Sequence, residues 1–316
     1  ANGTIILKGT KYLKFINNIV AYSTDTGSRS KGRRSFSTQN GHQTLVSNNT
    51  IKDADISTGR YDKYINNQIW DSTILPALEG EQFIGNTFYH CGLSQTDNDR
   101  IADDFVYYTD NVQHFERAST GSAINFNKAN QVFINHTIDF NSGKPSASPT
   151  AITNNSNVGK GFIDGFYINN VDMAGQEINT KANLPAIDIN NFQSPLLGGV
   201  IRGTGQRDMV VSNSSFARFE ARLDGWSTTG SSPFTKIELN NSKIIAPSLA
   251  YLNNEYVLKL RELDVDFYAE DSTFSFEGGN QAAGTAVFLL NNFGVKVFKN
   301  CLIRSDKAFT MDLNAQ

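Results

Sequence analysis

Cysteine is all but missing from this chain of 316 residues. The two present, Cys91 and Cys301, stand too far apart for a disulfide framework or for the close Cys/His spacing of a zinc site. They are read as small buried thiols. Charge is scarce as well, at 19% of residues, and nearly balanced, with a net charge of −3. No positive field is there to draw nucleic acid or anionic lipid, so no nucleic-acid partner is expected. Long apolar runs are absent, and nothing approaches the roughly 18 residues that cross a bilayer, so no membrane insertion is expected. Ala1-Asn2-Gly3-Thr4 has neither the charged nor the apolar region of an export signal. Opening on Ala rather than Met, the chain is read as one domain over 1–316 that is a fragment or a processed chain. Helical periodicity is almost absent. Also missing are a Gly-rich phosphate loop before a helix, His-Glu-x-x-His and Gly-x-Ser-x-Gly, which leaves nucleotide, zinc-protease and α/β-hydrolase chemistry without support.

Asparagine, in contrast, fills about one position in nine, and it recurs inside apolar runs rather than in one polar tract. Phe15-Ile16-Asn17-Asn18-Ile19, Val46-Ser47-Asn48-Asn49-Thr50-Ile51, Phe83-Ile84-Gly85-Asn86-Thr87-Phe88 and Phe133-Ile134-Asn135-His136-Thr137-Ile138 are one phrase. It returns in Tyr167-Ile168-Asn169-Asn170-Val171, Val211-Ser212-Asn213-Ser214-Ser215-Phe216, Leu239-Asn240-Asn241-Ser242-Lys243-Ile244 and Phe298-Lys299-Asn300-Cys301-Leu302-Ile303. Copies every roughly 25 to 35 positions signal a solenoid. Apolar flanks alternating with polar residues over three to five positions are short strands.

Such strands pair in parallel with their equivalents one coil away, and inward side chains stack in rows. Asn suits the bend between strands because it tolerates left-handed backbone and hydrogen-bonds neighbouring amides. Stacked Asn can also bond from coil to coil as a ladder. The expected fold is therefore all-β, a right-handed parallel β-helix of roughly ten coils with irregular loops. Coils are expected near 4–25, 42–59, 80–97, 104–120, 122–141, 161–175, 184–204, 208–223, 234–249, 256–277 and 284–304. Connections are expected at 25–41, 59–79, 92–103, 141–160, 175–184, 224–233 and 277–284, on the face that binds.

These phrases resemble the right-handed parallel β-helix superfamily of pectate lyases, polygalacturonases and bacteriophage tailspikes. The likeness lies in the repeat. Asp103-Asp104 matches the aspartate pair of polygalacturonase-like enzymes, but their Gly-His-Gly and Arg-Ile-Lys are missing, and Gly41-His42-Gln43 is no substitute. The resemblance implies a polysaccharide partner, an extracellular or virion-associated location and, as in tailspikes, a homotrimer. It implies no cofactor; the calcium of pectate lyases has no aspartate cluster fixed by spacing here.

Glycoside hydrolysis needs two carboxyl groups roughly 5 to 9.5 Å apart. The densest local supply is Asp97-Asn98-Asp99-Arg100-Ile101-Ala102-Asp103-Asp104, followed by Tyr107, Tyr108, His114, Glu116 and Arg117, with His136 and Asp139 one coil on. The catalytic candidates are Asp103, Asp104, Glu116 and Asp139. Tyr107, Tyr108 and Trp226 are the sugar platforms, with His114 and Arg117 for an anionic group. The same Asp-rich stretch also reads as a solvated turn. Asp164, Asp172, Glu177, Asp188, Arg202, Arg207 and Asp208 read as a second group or as solubilising outward residues. Arg29-Ser30-Lys31-Gly32-Arg33-Arg34 reads as an anion site or a solvated loop. Two functions stay open: a tailspike-like depolymerase, hydrolase or lyase, using paired acids, and a non-catalytic structural or receptor-binding β-helix of a virion tail or secreted adhesin.

Overall fold

The computed structural model describes residues 4–7, 11–21, 35–39, 42–75, 80–94, 105–115, 124–126, 130–139, 150–154, 161–169, 177–180, 187–193, 200–203, 209–216, 218–222, 236–246, 258–261, 266–276, 286–291, 294–305 and 310–312. Among them every regular element is a strand and every pairing is parallel. Among the described residues no helix is long and apolar enough to cross a membrane.

The strands fall into three ladders. The first has 13 strands, among them Ser35–Ser37, Asp55–Ser57, Thr73–Leu75 and Gly92–Ser94. The second contains Leu45–Ser47, Lys63–Ile65, Gln82–Ile84 and Phe105–Thr109, and the third Thr50–Lys52, Gln68–Trp70, Thr87–Tyr89 and Val112–His114. In these regular repeats each strand pairs with the third strand after it, the pattern of a parallel β-solenoid. The long strands Asn130–Asp139, Gly161–Asn169 and Ile187–Gln193 run through the second and third ladders without a break.

In the most regular stretch an inward residue recurs every fifth position: Val46, Ile51, Ile56; Tyr64, Ile69, Ile74; Phe83, Phe88, Leu93, all essentially buried. A three-residue strand has one inward side chain, so one apolar residue per strand builds the core. Inside the second ladder the rings of Tyr64, Phe83, Tyr108 and Phe133 stack with centroids 5.2, 4.9 and 4.6 Å apart. Each such contact adds about 0.5–1.5 kcal/mol beyond burial.

The bend between the second and third ladders follows one rule throughout. Its first residue has positive φ: Asn17, Asn48, Asn66, Gly85, Asp110, Asn135, Gly165, Asn191, Asn213, Asn241, Asp271 and Asn300. Its second residue turns inward, and from Asn49 to Asn111 that residue is a buried Asn. The backbone N–H groups of Asn18, Asn49, Asn67 and Asn86 donate to Oδ1 of Asn49, Asn67, Asn86 and Asn111, at 2.8 to 2.9 Å. Their side-chain amides repeat the step, and those of Asn49, Asn67 and Asn86 also reach a backbone carbonyl one coil back, as Asn67 does to Val46 at 2.9 Å. His136 takes over where the Asn row ends, and Ser214, Ser242 and Ser272 form a second row further on.

The segment 59–79 is not a connection. Lys63–Ile65, Gln68–Trp70 and Thr73–Leu75 make it a full repeat. The expected connections 25–41, 92–103, 141–160 and 175–184 likewise each hold a strand of the first ladder. A strand with a single inward residue has no periodicity to reveal it.

Candidate functional site

Asp103, Asp104, Glu116, Arg117 and Trp226 lie outside the described residues, as does the basic run 29–34. Tyr108 does not serve as a platform. It is 1% exposed, and its two faces are covered by Phe83 and Phe133. Burial also raises its pKa above the ordinary phenol value. His136 is likewise interior, with its pKa pushed down to about 3 by burial. Tyr107 faces outward, half-buried, on the second ladder, whereas His114 and Asp139 stand on the third, beyond the bend at Asp110.

His114 and Asp139 do come together, with Nδ1 3.3 Å from Oδ2. They end an outward column that the register builds one residue per strand: Lys52, Trp70, Tyr89, His114, Asp139. Lys52 Nζ sits 5.0 Å from the Trp70 ring, Trp70 and Tyr89 stack at 3.6 Å and 8°, and Tyr89 stacks on His114 at 5.3 Å. Sugars bind aromatic residues through the ring face, and here each face is already occupied by the next member. The column therefore braces the third ladder and offers only ring edges outward.

Among the described residues two acids lie in the interior. Asp62 accepts the N–H groups of Thr44 and Gly59, both at 2.7 Å, and the Thr38 hydroxyl at 2.6 Å. Glu81 accepts the Thr58 hydroxyl at 3.0 Å. Both are fully buried, so they hold the corner before the second ladder and meet no substrate.

An open groove lies on the outer face of the second ladder towards the other end of the chain. Glu238, Asn240, Asn241, Tyr268, Glu270 and Asp271 line a cavity of about 400 Å³. It is built by Lys236–Asn240 and Asp266–Glu270, in which Ile237, Leu239, Phe267 and Ala269 point inward and the alternate residues point out. Register sets Glu238 beside Tyr268 and Asn240 beside Glu270. Lys236 pairs with Glu238 and lies 5.2 Å from the Tyr268 ring, while Lys299 pairs with Glu270. That pairing raises the Lys299 pKa above its ordinary value.

The groove continues into a row of amides. Asn241 Nδ2 donates to Asn213 Oδ1 at 2.7 Å, and Asn213 Nδ2 donates to Asn190 Oδ1 at 2.9 Å. From Asn190 to Glu270 the polar strip crosses three strand spacings, about 14 Å.

Glu238, Tyr268, Glu270 and Asp271 were not among the sequence candidates. The signal was available, since Lys-Ile-Glu-Leu-Asn and Asp-Phe-Tyr-Ala-Glu align on their bends and thereby place Glu238 against Tyr268. Among the described residues no three His, Cys, Asp or Glu side chains are grouped to hold a metal ion. Compared with known proteins, the chain matches no family model, no curated protein and no solved structure.

Proposed function

We propose that this chain is a right-handed parallel β-helix that binds an extended polysaccharide in the groove around Tyr268 and cleaves it, in the manner of a tailspike-like depolymerase. Right-handedness is the hand of nearly all parallel crossovers. Each three-strand repeat is then one coil, and the first ladder's 13 strands support a count somewhat above ten. Acting on a bacterial surface or extracellular polymer, the protein works on a virion or outside the cell.

The observation that carries this reading is that Glu238 and Glu270, diagonal across two paired strands, line one cavity with Asn240, Asn241 and Tyr268, which register sets beside Glu238. One strand apart and two residues along, their Cα positions are about 8 Å apart. Inverting hydrolysis needs an acid and a base whose carboxyl groups stand about 6.5–9.5 Å apart, a span that side chains rooted at this Cα separation can reach. One glutamic acid gives its proton to the leaving oxygen as the bond to C1 breaks. Water bonds to C1 and yields its proton to the other glutamate.

A non-catalytic, receptor-binding reading is favoured by one fact: both glutamates already have a lysine counter-ion. The deciding assay is reducing-end release from a panel of bacterial capsules, O-antigens and plant polysaccharides. Release by the wild type that falls at least about 100-fold in both Glu238→Gln and Glu270→Gln supports cleavage in this groove. Binding that depends on Tyr268, without release from any substrate, establishes the non-catalytic reading. Release that neither substitution alters places the chemistry elsewhere.

A further inference from the structure

We infer that the polysaccharide taken by this groove is composed of neutral or N-acetylated sugars and excludes uronates; the inference rests on the glycan-binding reading above. Three carboxylates, Glu238, Glu270 and Asp271, face the cavity. The lysines that contact its lining, Lys236 and Lys299, are committed to Glu238 and Glu270, Lys296 donates to the Gly294 carbonyl at 2.6 Å, and Lys243, two residues past Asn241, is not part of the lining. A uronate would bring its carboxylate against fixed carboxylates, with no arginine in the lining to grip it in a bidentate pair. Calcium is the usual bridge between acidic protein and acidic sugar, but the described residues offer no grouped metal ligands.

The lining suits the opposite kind of sugar. Carboxylates accept sugar hydroxyls, and the Asn amides both donate and accept, as an acetamido group also does. Tyr268 supplies the apolar surface beside them. The reaction class follows from the substrate class. Elimination requires a C5 proton made acidic by a neighbouring sugar carboxyl, and a neutral sugar has none. Cleavage of such a polymer is hydrolysis, with water divided between C1 and the leaving oxygen.

The test is calorimetric titration with a neutral galactan oligomer, an N-acetylglucosamine oligomer and an oligogalacturonate, each with added calcium and with EDTA. Wild type should bind a neutral or N-acetylated oligomer at least about tenfold more tightly than the uronate, in both ionic conditions. Raising the salt should narrow the gap, as should the combined Glu238→Gln, Glu270→Gln, Asp271→Asn variant. The salt series needs no variant, so the outcome does not depend on that protein folding. Uronate bound as tightly as the neutral oligomers, with affinity lost in Tyr268→Ala, overturns the inference and leaves the groove reading intact. Binding of no oligomer, or binding indifferent to Tyr268→Ala, overturns the groove reading itself.

Discussion

Lowering the pH from 7.5 to 5 should loosen the middle of the solenoid by about 2 kcal/mol through His136. Gln113 Nε2 donates to the Cys91 carbonyl at 3.0 Å, which turns its Oε1 toward His136 Nε2 at 2.8 Å. Oε1 can only accept, so Nε2 carries the hydrogen of a neutral ring. The Phe133 ring lies edge-on at 5.1 Å, and a second proton would place a charge in this closed interior. Burial accordingly holds the folded pKa near 3, against about 6.5 in the unfolded chain. Below pH 6.5 the unfolded state takes up a proton that the folded state refuses. Stability is therefore complete above 6.5 and falls by up to about 1.4 kcal/mol per unit on the way down. Free carboxylates titrate near 4, so the interval from 6.5 to 5 is largely free of them.

The comparison protein is His136→Asn, which removes the titration and places an amide in line with the row ending at Asn111. The readout is native-state hydrogen exchange of amides in Asn130–Asp139, corrected for the intrinsic pH dependence, because solenoid repeats open locally. Wild type should lose about 2 kcal/mol of protection between the two pH values, and the variant less than about 0.5 kcal/mol. Equal losses in the two proteins would refute the reasoning, whatever their stability at pH 7.5.

Asn67→Ala removes the acceptor of the Asn49 N–H and the donor to the Val46 carbonyl, both buried. It should cost about 2–4 kcal/mol in urea titration, whereas exposed Asn241→Ala should cost only about 1 kcal/mol, mainly for its left-handed backbone. Gly85→Ala puts a side chain on a residue with φ of +63°, against Asn66, and should cost about 1–2 kcal/mol by the same assay. Cys91 is fully buried, and its thiol pKa is pushed up to about 12, while Cys301 is partly exposed. A thiol reagent at pH 8 should therefore modify Cys301 alone in the folded protein and both cysteines in denaturant.

The repeat was legible because the bend is chemically demanding. At many bends left-handed backbone is followed by an inward hydrogen-bonding side chain, in pairs such as Asn-Asn, Asp-Asn, Asn-Ser and Asp-Ser that recur in the sequence, although Phe192 takes that place after Asn191. The first ladder was not legible. Ser35-Phe36-Ser37 and Asp55-Ile56-Ser57 each bury one residue, and stretches such as these look like loops until their partners are known. Tyr107 and Tyr108 show the same limit at the site: adjacent tyrosines on one strand must face opposite ways, and only register reveals which one is inside.

Register also decides which outward residues face one another, which proximity in sequence does not. In a parallel ladder the neighbours of an outward residue lie one coil away, so Glu238 meets Tyr268 and His114 meets Asp139. An outward column can change without touching the inward rows: Trp70 and Tyr89 flank a core of Ile69 and Phe88, while Glu238 and Tyr268 flank one of Ile237, Leu239 and Phe267. The same coil thus carries a brace at one end of the chain and a polar groove at the other. What a coil binds is set by the one or two outward residues of each strand, read across strands.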